Sequence, residues 1–438
     1  MLNEHTLSTS NIFELVSKLC LTSTETRTPV SLVNEMLDKL PVETWRNPDL
    51  TFLDPSVGTG TFYICLLERL IVGLAEKIPD CNERIQHILL NQLYAADNNH
   101  RQIRIFSATL KKLGLENLKK NVYNKDSLKD NYNMKFDVIV GNPPYNKGKL
   151  SGASGSGNSI WEKFLPALWS KLKVGGYVCF VHPPEWRTSR YSKSKRNASK
   201  LMFDNQIKWI RAAFPFPGAG CSVDAYVLQK TDGPRQKTVW ENADGSIYEF
   251  VIDHNTPHLA NRQSAITNKI LDKVLSQKNQ DFYERKAMGG LIVLDKASSG
   301  EFTFVSGAKF TEKKWPHPHV HQFKMKVIMS DNRAFRPFFD PGTLGIGDHV
   351  HYALVKSPQE GQWLIHLINS KLSRWMQWIF CEGYNAACGV HGGEPWNCGR
   401  PFSHINFADE ETDGDDMYFY KYFGLTQEEI DYVESTVK

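Results

Sequence analysis

The stretch Phe52-Leu-Asp-Pro-Ser-Val-Gly-Thr-Gly-Thr-Phe62 passes from a short apolar run, through a turn with two glycines, into a segment of helical periodicity. Gly58 and Gly60 permit a tight turn and a close approach of the backbone to a ligand. In open α/β sheets, ligands lie over the carboxyl ends of strands, near the first turn of the following helix. The pattern is neither Gly-x-Gly-x-x-Gly nor a P-loop, which counts against a dinucleotide or a nucleoside triphosphate. On this segment alone, an ordinary strand-to-helix turn is the alternative.

Around this turn, short β-rich runs alternate with longer segments of helical periodicity from about residue 51 to 230, as in a parallel sheet with crossover helices. We predict seven strands, at Thr51–Asp54, Gln92–Ala96, Asn121–Tyr123, Phe136–Val140, Tyr177–His182, Ile207–Phe214 and Val223–Gln229. Helices are predicted at Ser31–Leu40, Phe62–Lys77, Asn98–Leu113 and Ile160–Lys173. The last two strands are joined by too few residues for a crossover helix, so we expect them to be antiparallel.

After residue 230 the regular pattern gives way to scattered aromatic residues, histidines and glycines, and the only clear helix is Gln362–Phe380. We therefore predict two domains, residues 1–230 and residues 231–438. The fold class is α/β: a seven-stranded, mostly parallel, Rossmann-like sheet followed by an α+β domain. The acidic stretch Asp409–Asp416 is predicted to be a solvated loop.

Composition excludes some classes of protein. Lys plus Arg number 52 against 48 for Asp plus Glu, so the net charge of +4 neither demands nor excludes a polyanionic partner. Eight cysteines without regular close spacing indicate reduced thiols inside a cell. No apolar run reaches the ~18 residues of a membrane span, and the first residues lack the form of a signal peptide. We expect a soluble protein of the cytoplasm.

Polar side chains follow successive predicted strands along one edge of the sheet. Asp97 ends the second strand, where a carboxylate can accept hydrogen bonds from both hydroxyls of a ribose; a helix N-cap is the alternative. Asp126-Ser127 follows the third strand, where a short polar side chain can accept from an adenine amino group; a turn residue is the alternative. Their common edge makes these residues support one another as parts of one site.

Asn142-Pro-Pro-Tyr145 comes directly after the fourth predicted strand. This is a more specific signal than the glycine turn, because two prolines fix the backbone and hold one carbonyl and one amide in a set direction. A plain turn is the alternative.

Taken in order, these motifs resemble those of gamma-class N6-adenine DNA methyltransferases of restriction-modification systems, over about residues 24–230. The resemblance implies an S-adenosylmethionine-dependent methyltransferase domain at 1–230 and a DNA target-recognition domain at 231–438. It implies that the catalytic residues are Asn142, Pro143, Pro144 and Tyr145. The implied cofactor-binding residues are Thr28, Pro29, Asp54, Pro55, Ser56, Gly58, Gly60, Asp97, Asp126 and Ser127.

The chemistry fits these residues. The exocyclic nitrogen of adenine is a poor nucleophile, because its lone pair is delocalised into the ring. The Asn142 side-chain oxygen and the Pro143 carbonyl could each accept one amino hydrogen and direct the lone pair at the methyl carbon of the cofactor. The same dipoles would stabilise the developing positive charge, so no strong general base is required.

The target base must leave the duplex to be methylated and must stack in a pocket. Tyr145 offers one aromatic face, and Phe214 or Phe216 the other, although both phenylalanines could simply plug the end of the sheet. An acid-free basic stretch after the fifth strand predicts phosphate contacts, against the alternative of a solvated loop. Its candidate contacts are Arg187, Arg190, Lys193, Lys195 and Arg196.

In the second domain, lysines interleaved with aromatic residues are candidate groove or phosphate contacts: Lys309, Lys313, Lys314, Lys324 and Lys326, with Phe310, Trp315 and Phe323. Two sets of possible metal ligands lack the paired CxxC form of a zinc site, so we predict no metal. These are His317, His319 and His321, which would alternate on one face of a strand, and Cys381, Cys388, His391 and Cys398.

Three functions remain to be compared. The favoured one is a stand-alone, monomeric DNA adenine methyltransferase acting on double-stranded DNA, without direct contact to any cognate restriction endonuclease. A protein-glutamine or RNA amino-methyltransferase is the second, because the same tetrad would serve any planar amide or amine nitrogen. A non-catalytic DNA-binding module is the third. The large second domain favours DNA reading, but the recognised sequence cannot be read from the chain.

Overall fold

The computed structural model describes residues 28–115, 117, 119–146, 160–187, 196–216, 222–253, 256, 259–275, 282–283, 300–306, 311–330, 336–347, 350–380, 402 and 405–437. The chain divides into two compact units, Met1–Leu259 and Ala260–Lys438. None of the helices in the described ranges has the length and apolar character needed to cross a membrane.

A nine-stranded sheet organises the N-terminal unit. Its strands are β1 Phe52–Asp54, β2 Leu93–Asp97, β3 Val122–Asn124, β4 Phe136–Gly141, β5 Leu172–His182, β6 Gln206–Pro215, β7 Ser222–Gln229, β8 Lys237–Glu241 and β9 Ile247–Val251. They lie side by side in the order β3-β2-β1-β4-β5-β7-β6-β8-β9. The strands from β3 to β5 in that order are parallel, and β7 is antiparallel to both β5 and β6. The predicted mostly parallel α/β sheet and its antiparallel pair are therefore confirmed.

Helices accompany this sheet, and the strands between them are buried on both faces. The helices are α1 Val30–Leu37, α2 Glu43–Arg46, α3 Thr61–Gly73, α4 Cys81–His87, α5 His100–Lys112, α6 Trp161–Trp169 and α7 Arg196–Asp204. In β4, Val138 and Val140 belong to one hydrophobic cluster, whereas Ile139 belongs to another. Successive residues of a strand point to opposite faces, so both faces of β4 are covered, and its residues from Val138 to Val140 are all apolar.

Strands β8 and β9 extend the sheet beyond the seven predicted strands. β8 is parallel to β6, and β9 is antiparallel to β8. The N-terminal unit consequently continues to Leu259, and the predicted domain boundary at residue 230 lies within it. A readable signal was present, because an Asp244-Gly245 turn with Gly245 at φ +84° separates two alternating segments, as in a β-hairpin.

The C-terminal unit combines helices with two small sheets. The sheets have the orders β10-β16-β13-β14 and β12-β11-β15. Their strands are β10 Phe282–Tyr283, β11 Phe302–Ser306, β12 Thr311–Trp315, β13 Lys326–Ser330, β14 Phe338–Asp340, β15 Leu344–Ile346 and β16 Val350–Leu354. The helices are α8 Ala265–Val274, α9 Pro358–Asn369, α10 Lys371–Phe380, α11 Asp416–Tyr422 and α12 Gln427–Thr436. This unit is α+β, as predicted.

The helix predicted at Gln362–Phe380 is in fact two helices, α9 and α10, divided at Ser370. The Ser370 hydroxyl donates to the Leu367 carbonyl at 2.7 Å and accepts from the Ser373 N–H at 3.2 Å. A serine that bonds the local backbone in this way competes with helix continuation and caps the next helix. The acidic stretch is not wholly a solvated loop, since Asp416 begins α11 and accepts from the Lys371 N–H at 2.7 Å.

Candidate active site

The two glycines of the turn after β1 have different surroundings: Gly58 has open space beside it, whereas Gly60 packs closely against a helix. Gly58 has φ +51° and Gly60 has φ +95°, both in the left-handed region that favours glycine. A Cβ on Gly60 would lie 2.6 Å from the ring of Phe106 in α5, so helix packing requires this glycine. Among the described atoms, a Cβ on Gly58 would meet only the Ser56 carbonyl oxygen, at 3.9 Å. Space therefore remains over Gly58.

Asp97 joins this turn to the start of α5. One carboxylate oxygen accepts from the Gly58 N–H at 3.0 Å, and the other accepts from the Asn99 N–H at 2.8 Å. The N-cap of α5 is Asn99, so Asp97 is not the capping residue. Burial raises the pKa of Asp97, and the two N–H bonds oppose that rise. Each carboxylate oxygen can accept a second hydrogen bond, so Asp97 keeps acceptor capacity beside the open glycine.

Asp54 is a buried acid at the end of β1. Its pKa is raised to about 8, chiefly by burial; the Ser56 N–H at 3.1 Å opposes the rise, and the nearby Asp97 adds to it. The Ser56 hydroxyl is itself buried and has no hydrogen-bond partner in the described part of the chain. A cationic group arriving here would favour the ionised carboxylate and lower the pKa of Asp54.

Ser127 lies against the turn after β1, with its hydroxyl already engaged. That hydroxyl donates to the Pro55 carbonyl at 2.8 Å and lies 2.8 Å from the Tyr132 hydroxyl oxygen. The Asp126 carboxylate has partners within its own turn: it accepts a hydrogen bond from the Leu128 N–H at 3.1 Å and pairs with the Lys129 ammonium at 3.1 Å. The structure thus brings Ser127 to the glycine turn and gives Asp126 local partners.

Asn142 follows β4, and Thr28 orients its amide. The Asn142 Nδ2 donates to the Thr28 Oγ1 at 3.1 Å, and Thr28 is only 7% exposed. The Asn142 Oδ1 is buried and has no hydrogen-bond partner among the residues described. Leaving a buried acceptor unpaired costs about 1–3 kcal/mol, so an incoming donor would be stabilised here.

The remaining tetrad residues are fixed to the start of α6. Pro143 is buried, Pro144 is exposed, and Tyr145 is half-buried against both hydrophobic clusters of the N-terminal unit. The Tyr145 carbonyl accepts from the Ile160 N–H at 2.9 Å. This bond ties the end of the tetrad to the residue before α6.

Residues 23–213 match the family described as Eco57I restriction-modification methylase. This segment is a restriction-modification methylase domain. An uncharacterized adenine-specific methylase of Mycoplasma pneumoniae is 26% identical over 292 residues, which cover 50% of this chain and 67% of the relative. The type II methyltransferase M.VspI of a Vibrio species is 25% identical over 308 residues, which cover 62% and 69%. The resemblance read from the motifs is confirmed, together with the enzyme class, a methyltransferase, and its methyl donor, S-adenosylmethionine.

Solved structures with a similar fold span more than the methylase domain. A nuclease-deletion mutant of the Type ISP restriction-modification enzyme LlaGI aligns with a TM-score of 0.51 at 13% identity, over 85% of this chain. The Type ISP enzyme LlaBIII aligns with a TM-score of 0.50 at 11% identity, over 82% of this chain. The chain spans 46% and 36% of those two enzymes. At such identities the likeness concerns the fold alone.

Phe214 and Phe216, just beyond the matched segment, lie in the core of the N-terminal unit. Their ring centroids are 6.5 Å apart with the planes at 65°, and both belong to the cluster against which Tyr145 packs. The Arg211 guanidinium lies 5.0 Å from the centre of the Phe214 ring. The two rings are therefore close to the tetrad as part of its support, and their stacking on a base remains a prediction.

The prediction that Arg187 contacts DNA phosphate is wrong. Its side chain is 1% exposed and pairs with Asp224, which is 0% exposed, through two guanidinium nitrogens. Asp224 also accepts from the Trp186 indole at 2.7 Å and from the Ala213 N–H at 2.9 Å. Sequence reasoning missed Asp224, although an acid within an apolar strand needs a cationic partner and could have been assigned one.

Most of the other predicted contacts in the basic stretch are not among the residues that the structure describes. Arg196 begins α7. Arg190, Lys193 and Lys195 lie outside the described residues. Their contact with phosphate stays a prediction for this methylase.

Of the predicted DNA contacts in the C-terminal unit, one is buried, one is exposed and others lie outside the described residues. Lys326 is fully buried and pairs with the buried Asp340 at 2.6 Å, so it cannot reach a phosphate. Lys324 is exposed, whereas Lys309 and Phe310 lie outside the described residues. The predicted histidine strand is wrong, since residues 316–324 form a turn between β12 and β13. The cysteines and the histidine at 381–398 also lie outside the described residues.

Proposed function

We propose that this protein is a site-specific DNA methyltransferase that transfers a methyl group from S-adenosylmethionine to the N6 nitrogen of an adenine swung out of the duplex. The observation that carries the proposal is the buried, unpaired Oδ1 of Asn142, at the end of β4 in an Asn-Pro-Pro-Tyr sequence. Its amide is held by Thr28, so the oxygen is fixed as an acceptor. An amino group is the donor that such an acceptor requires.

Two acceptors act on the adenine amino group. The Asn142 Oδ1 accepts a hydrogen bond from one amino hydrogen, and the Pro143 carbonyl accepts one from the other. These bonds make the nitrogen more tetrahedral and direct its lone pair towards the methyl carbon. The cofactor would supply the methyl group, whose bond to the sulfonium sulfur breaks as the bond to nitrogen forms, so that a neutral thioether leaves. The fixed dipoles of Asn142 and Pro143 would stabilise the positive charge that develops on nitrogen. The nitrogen then loses one proton to solvent, so no buried base is needed.

The residues after β1 and β2 fit S-adenosylmethionine, which supplies an electrophilic methyl group on a sulfonium. Asp97 has acceptor capacity for ribose hydroxyls, and the open side of Gly58 admits a ligand close to the backbone. The unpaired Ser56 hydroxyl and the raised pKa of Asp54 suit a polar, cationic group. Asp126 and Ser127 are assigned to the adenine end through the backbone around them, because their side chains have partners.

The second unit, Ala260–Lys438, is assigned to reading the DNA sequence. This unit lies outside the matched segment 23–213, and a methylase that acts at one short motif needs a part of the chain that reads that motif. Tyr145, half-buried at the tetrad, provides an aromatic face for the extruded base. The protein acts as a monomer on duplex DNA and makes no obligatory contact with a nuclease.

Methylation of duplex DNA with an isotopically labelled methyl donor tests the proposal. We expect the label in N6-methyladenine after nuclease digestion, at one short motif that single-molecule sequencing of the same DNA identifies. Asn142→Ala is the matched control and should incorporate label about 10²- to 10³-fold more slowly. Label in cytosine, in RNA or in protein glutamine, with none in adenine, would contradict the proposal.

A further inference from the structure

The turn of residues 316–324 between β12 and β13 presents apolar side chains to solvent. Phe323 is 73% exposed and Val320 is 65% exposed. Among the phenylalanines whose side chains the structure describes, Phe323 is the only exposed one. A single exposed apolar residue is ordinary, so exposure alone assigns no role to this turn.

A buried ammonium fixes the backbone of the same turn. The Lys326 Nζ donates to the carbonyls of His321 at 3.0 Å, Gln322 at 3.3 Å and Lys324 at 2.9 Å. Its charge is balanced by Asp340, at 2.6 Å. The three carbonyls flank or precede Phe323, so one buried cation holds the backbone on both sides of the exposed ring.

Buried side chains of the turn add further anchors. The Gln322 amide donates to the Thr343 carbonyl at 2.6 Å, and its oxygen accepts from the His319 N–H at 3.3 Å. The His321 Nδ1 lies 3.0 Å from the Tyr352 hydroxyl oxygen in β16. The inward side chains thus hold the turn to the sheets. The Phe323 ring meets the edge of the Phe302 ring in β11, with the centroids 6.2 Å apart, and still leaves most of its surface exposed.

The charge of this segment matches a polyanion. No Asp or Glu occurs from residue 313 to residue 330, and Lys324 is exposed next to Phe323. A rigid turn that presents an aromatic ring and an aliphatic side chain beside a lysine has the chemistry of a DNA wedge, in which apolar groups enter between base steps and cations contact phosphate. Rigid support is what such an element needs, because ordering it on binding would cost affinity.

We infer that the 316–324 turn enters a groove of duplex DNA, with Phe323 and Val320 against the bases and Lys324 on a phosphate. The inference rests on the proposed function and adds to it a specificity-determining element in the second unit. Phe323 contributes to the affinity for the recognised sequence, and Lys324 contributes equally to all sequences.

The experiment compares Phe323→Ala with wild type and with Met417→Ala, a control that removes a side chain 52% exposed elsewhere in the second unit. Binding is measured, with S-adenosylmethionine present, to a duplex carrying the methylated motif and to one with that motif scrambled. Phe323→Ala should weaken binding to the specific duplex by about 10- to 100-fold, on the scale of apolar or stacking contacts with bases. Its affinity for the scrambled duplex, and both affinities of Met417→Ala, should stay as in wild type.

Each other result overturns the inference. Equal weakening on both duplexes would make Phe323 a contact without sequence information. Unchanged binding would mean that the turn serves another partner, such as a protein, or none. A lowered melting temperature of Phe323→Ala would make the ring structural. The proposed function itself would be refuted if the wild-type protein methylated no adenine in duplex DNA. That result is read from the wild-type protein alone, so it is distinct from any effect of Phe323→Ala.

Discussion

The hydrogen bond between Thr28 and Asn142 makes a specific kinetic prediction. If Thr28 acts by orienting the Asn142 amide, its removal should slow methyl transfer only while that amide is present. Thr28→Val removes the hydroxyl and nearly preserves the shape, whereas Asn142→Ala removes the acceptor itself. Comparing the two single variants with the double variant isolates the coupling between them.

The magnitudes follow from what each change removes. Asn142→Ala deletes one fixed dipole at the reacting nitrogen, for which about 10²- to 10³-fold in rate is typical, or about 2.7–4 kcal/mol. Thr28→Val deletes one neutral hydrogen bond worth about 0.5–1.5 kcal/mol, and so about two- to tenfold in rate. In the Asn142→Ala background there is no amide for Thr28 to orient, so the double variant should be no slower than Asn142→Ala alone. Thr28→Ser keeps the hydroxyl and should remain near the wild-type rate.

The rates are measured under single turnover, with saturating cofactor and DNA, because product release would otherwise mask the chemical step. Cofactor affinity is measured separately by calorimetry, and we expect Asn142→Ala to leave it nearly unchanged. Our reasoning would be refuted if Thr28→Val slowed the reaction by the same factor in both backgrounds. A loss of cofactor affinity in Asn142→Ala as large as its loss of rate would equally remove Asn142 from the reacting centre.

Three further predictions address the cofactor and the DNA. Asp97→Ala should weaken S-adenosylmethionine binding by about 1.5–3 kcal/mol, the scale of hydrogen bonds to a charged group, and an unchanged dissociation constant would leave Asp97 a purely structural link to Gly58. Since the carboxyl of Asp54 has a pKa of about 8 and a cationic ligand favours its ionised form, cofactor affinity should rise as the pH increases from about 6 to about 8 and then level off. Asp54→Asn should flatten that calorimetric profile, and a profile that instead falls over this range would contradict the assignment. In the basic stretch, the residues to replace together by alanine are Lys193, Lys195 and Arg196. The triple variant should bind specific and random duplexes more weakly by similar factors, and the slope of log affinity against log salt should flatten by up to about 3 units. The methylated motif should not change.

The catalytic sheet could be predicted from the sequence because its central strands are buried on both faces. β4 contains the apolar run Val138–Val140, and its predicted bounds were nearly correct. β9 alternates exposed and half-buried residues at the edge of the sheet, and it was missed. The helix at Thr61 ends at Gly73, earlier than its apolar periodicity implied. The Cβ that Gly73 lacks would lie 2.3 Å from the Trp45 carbonyl oxygen, and sequence spacing contains nothing of that contact.

The active site was predictable to the extent that chemistry restricts residue types at strand ends. Asn142 and Asp97 could be proposed as site residues because a carboxamide and a carboxylate in those places have few uses, and their roles stay predictions. The role of Thr28 in orienting Asn142 could not be found, since it joins residues 114 positions apart in the chain. The second unit was harder to predict, because the role that we propose for it, reading DNA, depends on a target sequence that this chain does not contain.

The two basic residues whose predicted DNA contacts were wrong share one physical reason. Arg187 and Lys326 lie in stretches without acids, yet each pairs with an aspartate from another strand, Asp224 in β7 and Asp340 in β14. Burying a lone charge is costly, so a buried acid either pairs with a cation, as Asp224 and Asp340 do, or has a raised pKa, as Asp54 does. The two paired acids take their cations from segments whose sequence resembles an exposed surface. An acid-free stretch therefore indicates a polyanion site only after the buried acids of the fold have taken their partners. For this chain, that leaves the cations on the outside of the same segments, such as Lys324, as the ones that DNA can reach.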